Sequence, residues 1–298
     1  MIFAGIKKAV GIGLVGLMLL TMRCGSLTNE DPAVATGGSG AGNPSGIVKV
    51  SMGVSSTSSS AKMTAVAALA DDPDGFTGPV TVTTTDEGGT SISLTTIELS
   101  GVIIHFLVDS SENPASLLAA MHSRPAYLSS DSNSIIYTRQ ASFNVLCDSA
   151  DSLPSTLSLP IAKYIGVKIT LPQVASAGGA GTTGNNQIVL NGTFAYFGVS
   201  HSLNVGIAYS QGSCNQNYSF AGGIFTLSAS DTTHLQLQFK PSRWFSSINV
   251  ATGLENGDYS FDGGGTLNLS NYSTLPSVEW AGETVASDFL ASGKLTVY

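Results

Sequence analysis

Residues 165–171 read Ile165-Gly166-Val167-Lys168-Ile169-Thr170-Leu171, apolar at every second position and small or polar between. Side chains of an extended chain point alternately to opposite faces, so this pattern predicts a strand with one buried and one solvated face. The same period recurs at Leu203, Val205, Ile207 and Tyr209, with Ser202, Asn204, Gly206 and Ala208 between. A third run sets Leu235, Leu237 and Phe239 inward and His234, Gln236, Gln238 and Lys240 outward. One apolar face per strand is the mark of antiparallel sheets open to water on one side.

Further strands are expected over residues 47–54, 80–85, 91–99, 102–108, 135–146, 188–197, 218–228, 266–269 and 294–298. Turn formers separate them, among them Asp72-Pro73-Asp74-Gly75, Glu87-Gly88-Gly89, Asn185-Asn186 and Gly263-Gly264-Gly265. Helices are expected only at 115–121 and 283–290, both short. The reading is one all-β domain over residues 46–298: an antiparallel β-sandwich of about a dozen strands with one or two short helices. No internal repeat points to a propeller or solenoid.

Composition agrees. Hydrophobic residues make up 42% of the 298, enough for a core, while only 11% are charged, against about 25% in an average soluble domain. The polar surface must then come from Ser, Thr, Asn, Gln and Gly, which suit strands and turns better than helices. A net charge of −8 and a pI near 4.8 argue against a nucleic-acid partner, for which a basic stripe is expected.

The amino terminus carries a separate signal. Lys7 and Lys8 precede twelve apolar or small residues, Ala9 to Leu20. As a helix these span roughly 18 Å, short of a ~30 Å hydrocarbon core but suited to a secretory signal peptide. Ala33-Val34-Ala35 has the small-x-small form of a cleavage site but lies far from the apolar run. Thr21-Met22-Arg23-Cys24 lies at the right distance and ends in cysteine. Here the chain resembles bacterial lipoproteins, in which that cysteine becomes the acylated first residue. The resemblance implies a signal peptide over residues 1–23, lipid on Cys24 and a location at the cell envelope, anchored to the outer membrane. Arg23 departs from the small residue usual before the cysteine. Residues 24–45, rich in Gly and Ser, read as a flexible tether.

With Cys24 set aside, Cys147 and Cys214 remain as an even pair in an oxidising compartment, and a disulfide between them is expected, with two free buried thiols as the alternative. Residues 159–171 and 235–245, including Phe239-Lys240-Pro241-Ser242-Arg243-Trp244-Phe245, resemble strands of envelope lipoproteins that carry an immunoglobulin- or transthyretin-like sandwich on a Gly/Ser tether. That resemblance carries no site residues across.

Motifs of chemistry are few. The histidines His105, His122, His201 and His234 show no metal-ligand spacing, and no G-x-S-x-G elbow occurs. No catalytic residue, metal ligand or cofactor is therefore assigned. Asp71, Asp72 and Asp74, and again Glu255, Asp258 and Asp262, gather hard oxygens that suit calcium, yet their spacing matches no calcium loop. Trp244 with Phe245, and Trp280, are read as core residues, with exposed rings that stack on sugars as the alternative. Three classes of function stay open. The first is a membrane-tethered, non-enzymatic binding, adhesion or structural module with a protein or glycan partner. The second is a carrier of a metal or small ligand, and the third a glycan-active enzyme.

Overall fold

The computed structural model describes residues 45–55, 63–64, 81–147, 149–150, 152–175, 185–210, 212–229 and 232–298. The expected signal peptide, Cys24, nearly all of the tether and the Asp71, Asp72, Asp74 cluster lie outside the described residues. Sixteen strands are described. The first eight are β1 Ser45–Val54, β2 Met63–Thr64, β3 Thr81–Thr85, β4 Ser91–Val108, β5 Leu128–Ser130, β6 Ser134–Asn144, β7 Ser149–Ala150 and β8 Leu157–Pro160. Then come β9 Lys163–Leu171, β10 Ile188–Tyr196, β11 Val199–Ile207, β12 Cys214–Ser219, β13 Phe225–Thr226, β14 Thr232–Phe239, β15 Thr266–Ser270 and β16 Gly293–Val297. Three helices accompany them: α1 Pro114–Ala119, α2 Val250–Asn256 and α3 Pro276–Ala291. The chain is β-rich, as the alternation predicts.

Residues 91–99 and 102–108, read as two strands, are one. β4 runs through both and changes partners on the way. Its first half pairs with β3 on one edge and β10 on the other; its second half pairs with β6 and β9 on the same two edges. On the edge shared by β10 and β9 the change falls at Gly101, whose φ of +71° is open to glycine at little cost; on the other edge it falls between Leu94 and Glu98, and the register against β6 shifts between Leu99 and Val102. Along the whole strand Ile92, Leu94, Ile97, Leu99, Val102, Ile104, Phe106 and Val108 are buried. From β4 the large sheet extends through β10, β11 and β15, and through β9 and β12.

A second sheet has the order β16-β14-β1-β8. Its apolar residues Val48, Met52, Leu157, Leu235 and Leu237 belong to the same buried cluster as Ile104, Phe106 and Val167 of the large sheet. Pairing is not antiparallel throughout: β1 runs parallel to β14 and β11 parallel to β15. Each parallel pair joins strands far apart in sequence, and a long connection lets a strand return in either direction.

The stretch 165–171 behaves as a strand with one exception. Val167, Ile169 and Leu171 are buried, but Ile165 is exposed and Tyr164 takes the inward place before it. A register shift between β4 and β9 at Leu107/Val108 moves the faces by one residue there. Gly166 lies in this shift, so close to the backbone of Tyr218 that no side chain fits. The run 218–228 is likewise not one strand. It divides into β12 and β13 around Gly222 and Gly223, the latter at φ +83°.

α3 is twice as long as expected. Pro276 opens it, where a missing N–H costs nothing, and Gly282 lets it lie directly on the backbone of Ser270 in β15. At its end Ser292 Oγ accepts hydrogen bonds from Trp244 Nε1 (3.0 Å) and Lys240 N (3.2 Å) and donates to Phe289 O (2.7 Å). Phe289 stacks on Phe239 at 4.5 Å and meets the edge of Trp244 at 5.3 Å. This node ties α3 to the end of β14. Asp86 does the same for α2: its Oδ1 accepts from Thr90 N and its Oδ2 from Val250 N, both at 2.7 Å.

The disulfide expected between Cys147 and Cys214 is not seen: Cys214 carries a free, half-buried thiol. Cys147 follows β6 and Cys214 opens β12, with β4 and β9 lying between those strands. Three interstrand spacings amount to about 14 Å, beyond the ~7 Å that a disulfide allows between Cα atoms.

Ser292→Ala leaves the buried Trp244 Nε1 and the part-buried Lys240 N without an acceptor, so it is expected to lower unfolding stability by about 1–3 kcal/mol in a denaturant titration. Gly192→Ala drives a Cβ into the Ser93 carbonyl at the bulge where β10 meets β4. A loss of about 1–3 kcal/mol is expected there too, while Gly198→Ala, in open space, shows only the smaller backbone penalty of its positive φ.

Candidate functional site

Of the four histidines, His122 and His234 are exposed, each on its own. The other two sit in built surroundings. His105 projects from the second half of β4 onto the outer face of the large sheet, where Lys168 of β9 and Ile136 of β6 lie opposite it. Alternation places it there, because Ile104 and Phe106 take the inner face.

A chain of polar side chains crosses that face. Asn133 N and Ser134 N donate to Asp131 Oδ1 at 3.0 and 2.7 Å, and Ser134 Oγ donates to the same oxygen at 2.8 Å. Ser134 Oγ also lies 3.3 Å from His105 Nδ1, with Asp131 Oδ2 at 3.7 Å from that nitrogen. On the far side His105 Nε2 lies 3.2 Å from Thr170 Oγ1, which donates to Asn215 Oδ1 at 2.7 Å. Four strands or their turns, β6, β4, β9 and β12, thus contribute to one platform, which Lys168 and Asn217 extend. Only the end members are well exposed: the His105 side chain is 12% accessible and that of Asp131 37%.

Burial lowers the His105 pKa below its ordinary 6.5, and the Lys168 ammonium lowers it further, while Asp131 opposes both. For Asp131 burial works upward, but the hydrogen bonds from Asn133 and Ser134 outweigh it and hold the carboxyl below its usual range. The proton count of the chain follows. Thr170 gives its proton to Asn215, and Ser134 gives its own to Asp131. Both ring nitrogens then face oxygen lone pairs, an arrangement that suits imidazolium. In the neutral ring one hydroxyl must turn its proton toward nitrogen, so the charge on His105 sets the direction of the hydrogen bonds out to Asn215.

His201 belongs to a different surface. Phe261 stacks on it at 4.3 Å, and Phe194 and Tyr196 lie at 5.9 and 6.2 Å. Tyr196 in turn carries Phe197 at 4.4 Å. Phe197 and Gly198 form the two-residue turn of the β10–β11 hairpin, both at positive φ (+49° and +77°). Asn-Gly or Asp-Gly is the favoured pair there, and a residue with a Cβ costs roughly 1–2 kcal/mol in this conformation. Phe197 is nevertheless 81% exposed and Val199 56%. The sequence held no signal for this tip, since the turn lacks Asn or Asp and the strand pattern runs straight into Phe197. Trp244 and Phe245 are fully buried as expected, whereas Trp280 is 53% exposed on α3. An amphipathic helix turns one side to water, and Trp280 lies on it between buried Val278 and Ala281.

The acidic residues Glu255, Asp258 and Asp262 are not drawn together. The Asp262 carboxylate is occupied by Gly264 N, Thr266 N and Asn268 Nδ2 within its own turn. No three of His, Cys, Asp or Glu gather to hold a metal ion among the described residues.

A depressed histidine pKa contributes stability that is full above the ordinary value of 6.5 and falls as pH drops below it, because the unfolded chain then binds the extra proton. His105→Gln is therefore expected to flatten the fall in melting temperature between pH 7 and 5, relative to the wild type, in parallel thermal melts. No known family, characterised protein or solved structure matches the chain.

Proposed function

We propose that the protein is a cell-envelope lipoprotein: residues 1–23 direct export, Cys24 carries lipid anchored in the outer membrane, and residues 24–45 tether a non-enzymatic binding module. Lys7, Lys8, the apolar run to Leu20 and the cysteine that follows support the export and lipid steps. We read the two sheets as the layers of a β-sandwich, since their inner faces feed one apolar cluster.

The observation that carries the binding role is the hydrogen-bonded chain Asp131–Ser134–His105–Thr170–Asn215, whose two ends, Asp131 and Asn215, are exposed on the outer sheet face. Amide, hydroxyl and imidazole groups held rigid by one another lose little entropy on binding. The Asp131 carboxylate and the Asn215 amide at its two ends can each hydrogen-bond the hydroxyls of a glycan.

Two measurements test this reading. A palmitate analogue fed to producing cells is expected to label the wild type and not Cys24→Ala; equal labelling of both would remove the lipid anchor. On a glycan array, Asn215→Ala and Thr170→Ala are expected to weaken any wild-type binding about tenfold, as loss of a hydrogen bond worth ~1.4 kcal/mol requires. Unchanged binding by both variants would move the binding face elsewhere.

A further inference from the structure

We propose that the β10–β11 hairpin tip inserts into the interface of a lipid bilayer, with Phe197 and Val199 as the inserted side chains and Tyr196 at the polar boundary.

Three observations carry this. The first is the strained tip itself. Phe197 occupies a left-handed conformation that a polar Asn or Asp would take more readily, and it is 81% exposed. A large apolar ring kept at such a position has a use outside the fold. The second is the charge distribution. No Asp, Glu, Lys or Arg lies between Lys168 and Asp231, so both hairpin strands and their flanks are uncharged. Insertion into a bilayer penalises charge more than any other feature. Beside the ledge, the carboxylate of Asp262 is turned into its own loop by three hydrogen bonds, and the nearest charge on the other flank is Glu87 in the β3–β4 turn. The third is support from behind. Tyr196, His201, Phe261 and Phe194 form a continuous ring stack that backs Phe197, and aromatic rings favour the membrane–water boundary.

A sugar-binding ledge would place hydrogen-bonding side chains beside the ring. Here the two exposed residues that follow Phe197 are Gly198 and Val199, the polar group beside the ring is the boundary Tyr196, and the Asn204–Asn268–Asp262 ladder branches from Asn204, which points to the opposite sheet face from His201. The tip also lies far from where the chain enters the domain. Gly46 packs on Leu227, which bonds to Ala162 beside the β9 end that meets Val108. The hairpin instead projects past Ile92, roughly 50 Å of strand path away at ~3.3 Å per residue. The bilayer met by the tip is thus reached by the end of the domain opposite its tether.

The test uses the full chain with Phe197→Trp, and separately Val199→Trp, mixed with zwitterionic vesicles that carry brominated acyl chains. The expected result is a blue shift and at least twofold quenching of the added tryptophan, after subtraction of the wild-type signal from Trp244 and Trp280. Repeating it with Cys24→Ala separates the tip from the anchor, and the quenching at position 197 is expected to persist. Emission that stays water-like at both positions while the protein is vesicle-bound overturns the proposal. So does a shift produced by glycans or a soluble protein and not by lipid.

Discussion

The bulge at Gly101 is the constraint on which the rest of the architecture depends. Without the extra residue there, the period that buries Ile97 and Leu99 would turn Val102, Ile104 and Phe106 to the outer face. One residue at positive φ resets that period where the partner on one edge passes from β10 to β9. Because β4 stays buried on its inner face from Ile92 to Val108, the two halves share one core.

The two surfaces described above sit on the two halves of that strand. His105 lies in the second half, where β6, β9 and β12 supply Ser134, Thr170 and Asn215. The aromatic tip extends beyond the first half, carried by β10 and β11. A polar platform and an apolar point are therefore separated along one spine. Charge divides them: both strands of the tip are free of charged side chains, whereas the platform carries Asp131 and Lys168.

Three close approaches explain where glycine was needed. Gly166, Gly192 and Gly282 each meet another backbone where a Cβ would collide, at β12, β4 and β15 respectively. All three mark places where layers or strands come nearer than side chains permit. In the sequence they look like ordinary interruptions of an apolar pattern. Gly166 even helped the alternation at 165–171 appear regular, while in the structure it marks the register shift that exposes Ile165.

What the sequence determined by itself was the strand content and the position of most elements. Alternation is a local property: Leu203, Val205 and Ile207, or Leu235, Leu237 and Phe239, reveal a buried face without knowledge of what covers it. The proposed export and lipid signals are similarly contiguous, running from Lys7 to Cys24. Only the tertiary structure decided the parallel pairs, the separation of Cys147 from Cys214, and the meeting of His105 with Asp131 and Thr170. Those relations join residues far apart along the chain, and strand order, which no local period encodes, determines which of them touch. The same holds for Phe197: its exposure follows from the two-residue turn that hydrogen bonding between β10 and β11 imposes, against the preference of the residue itself.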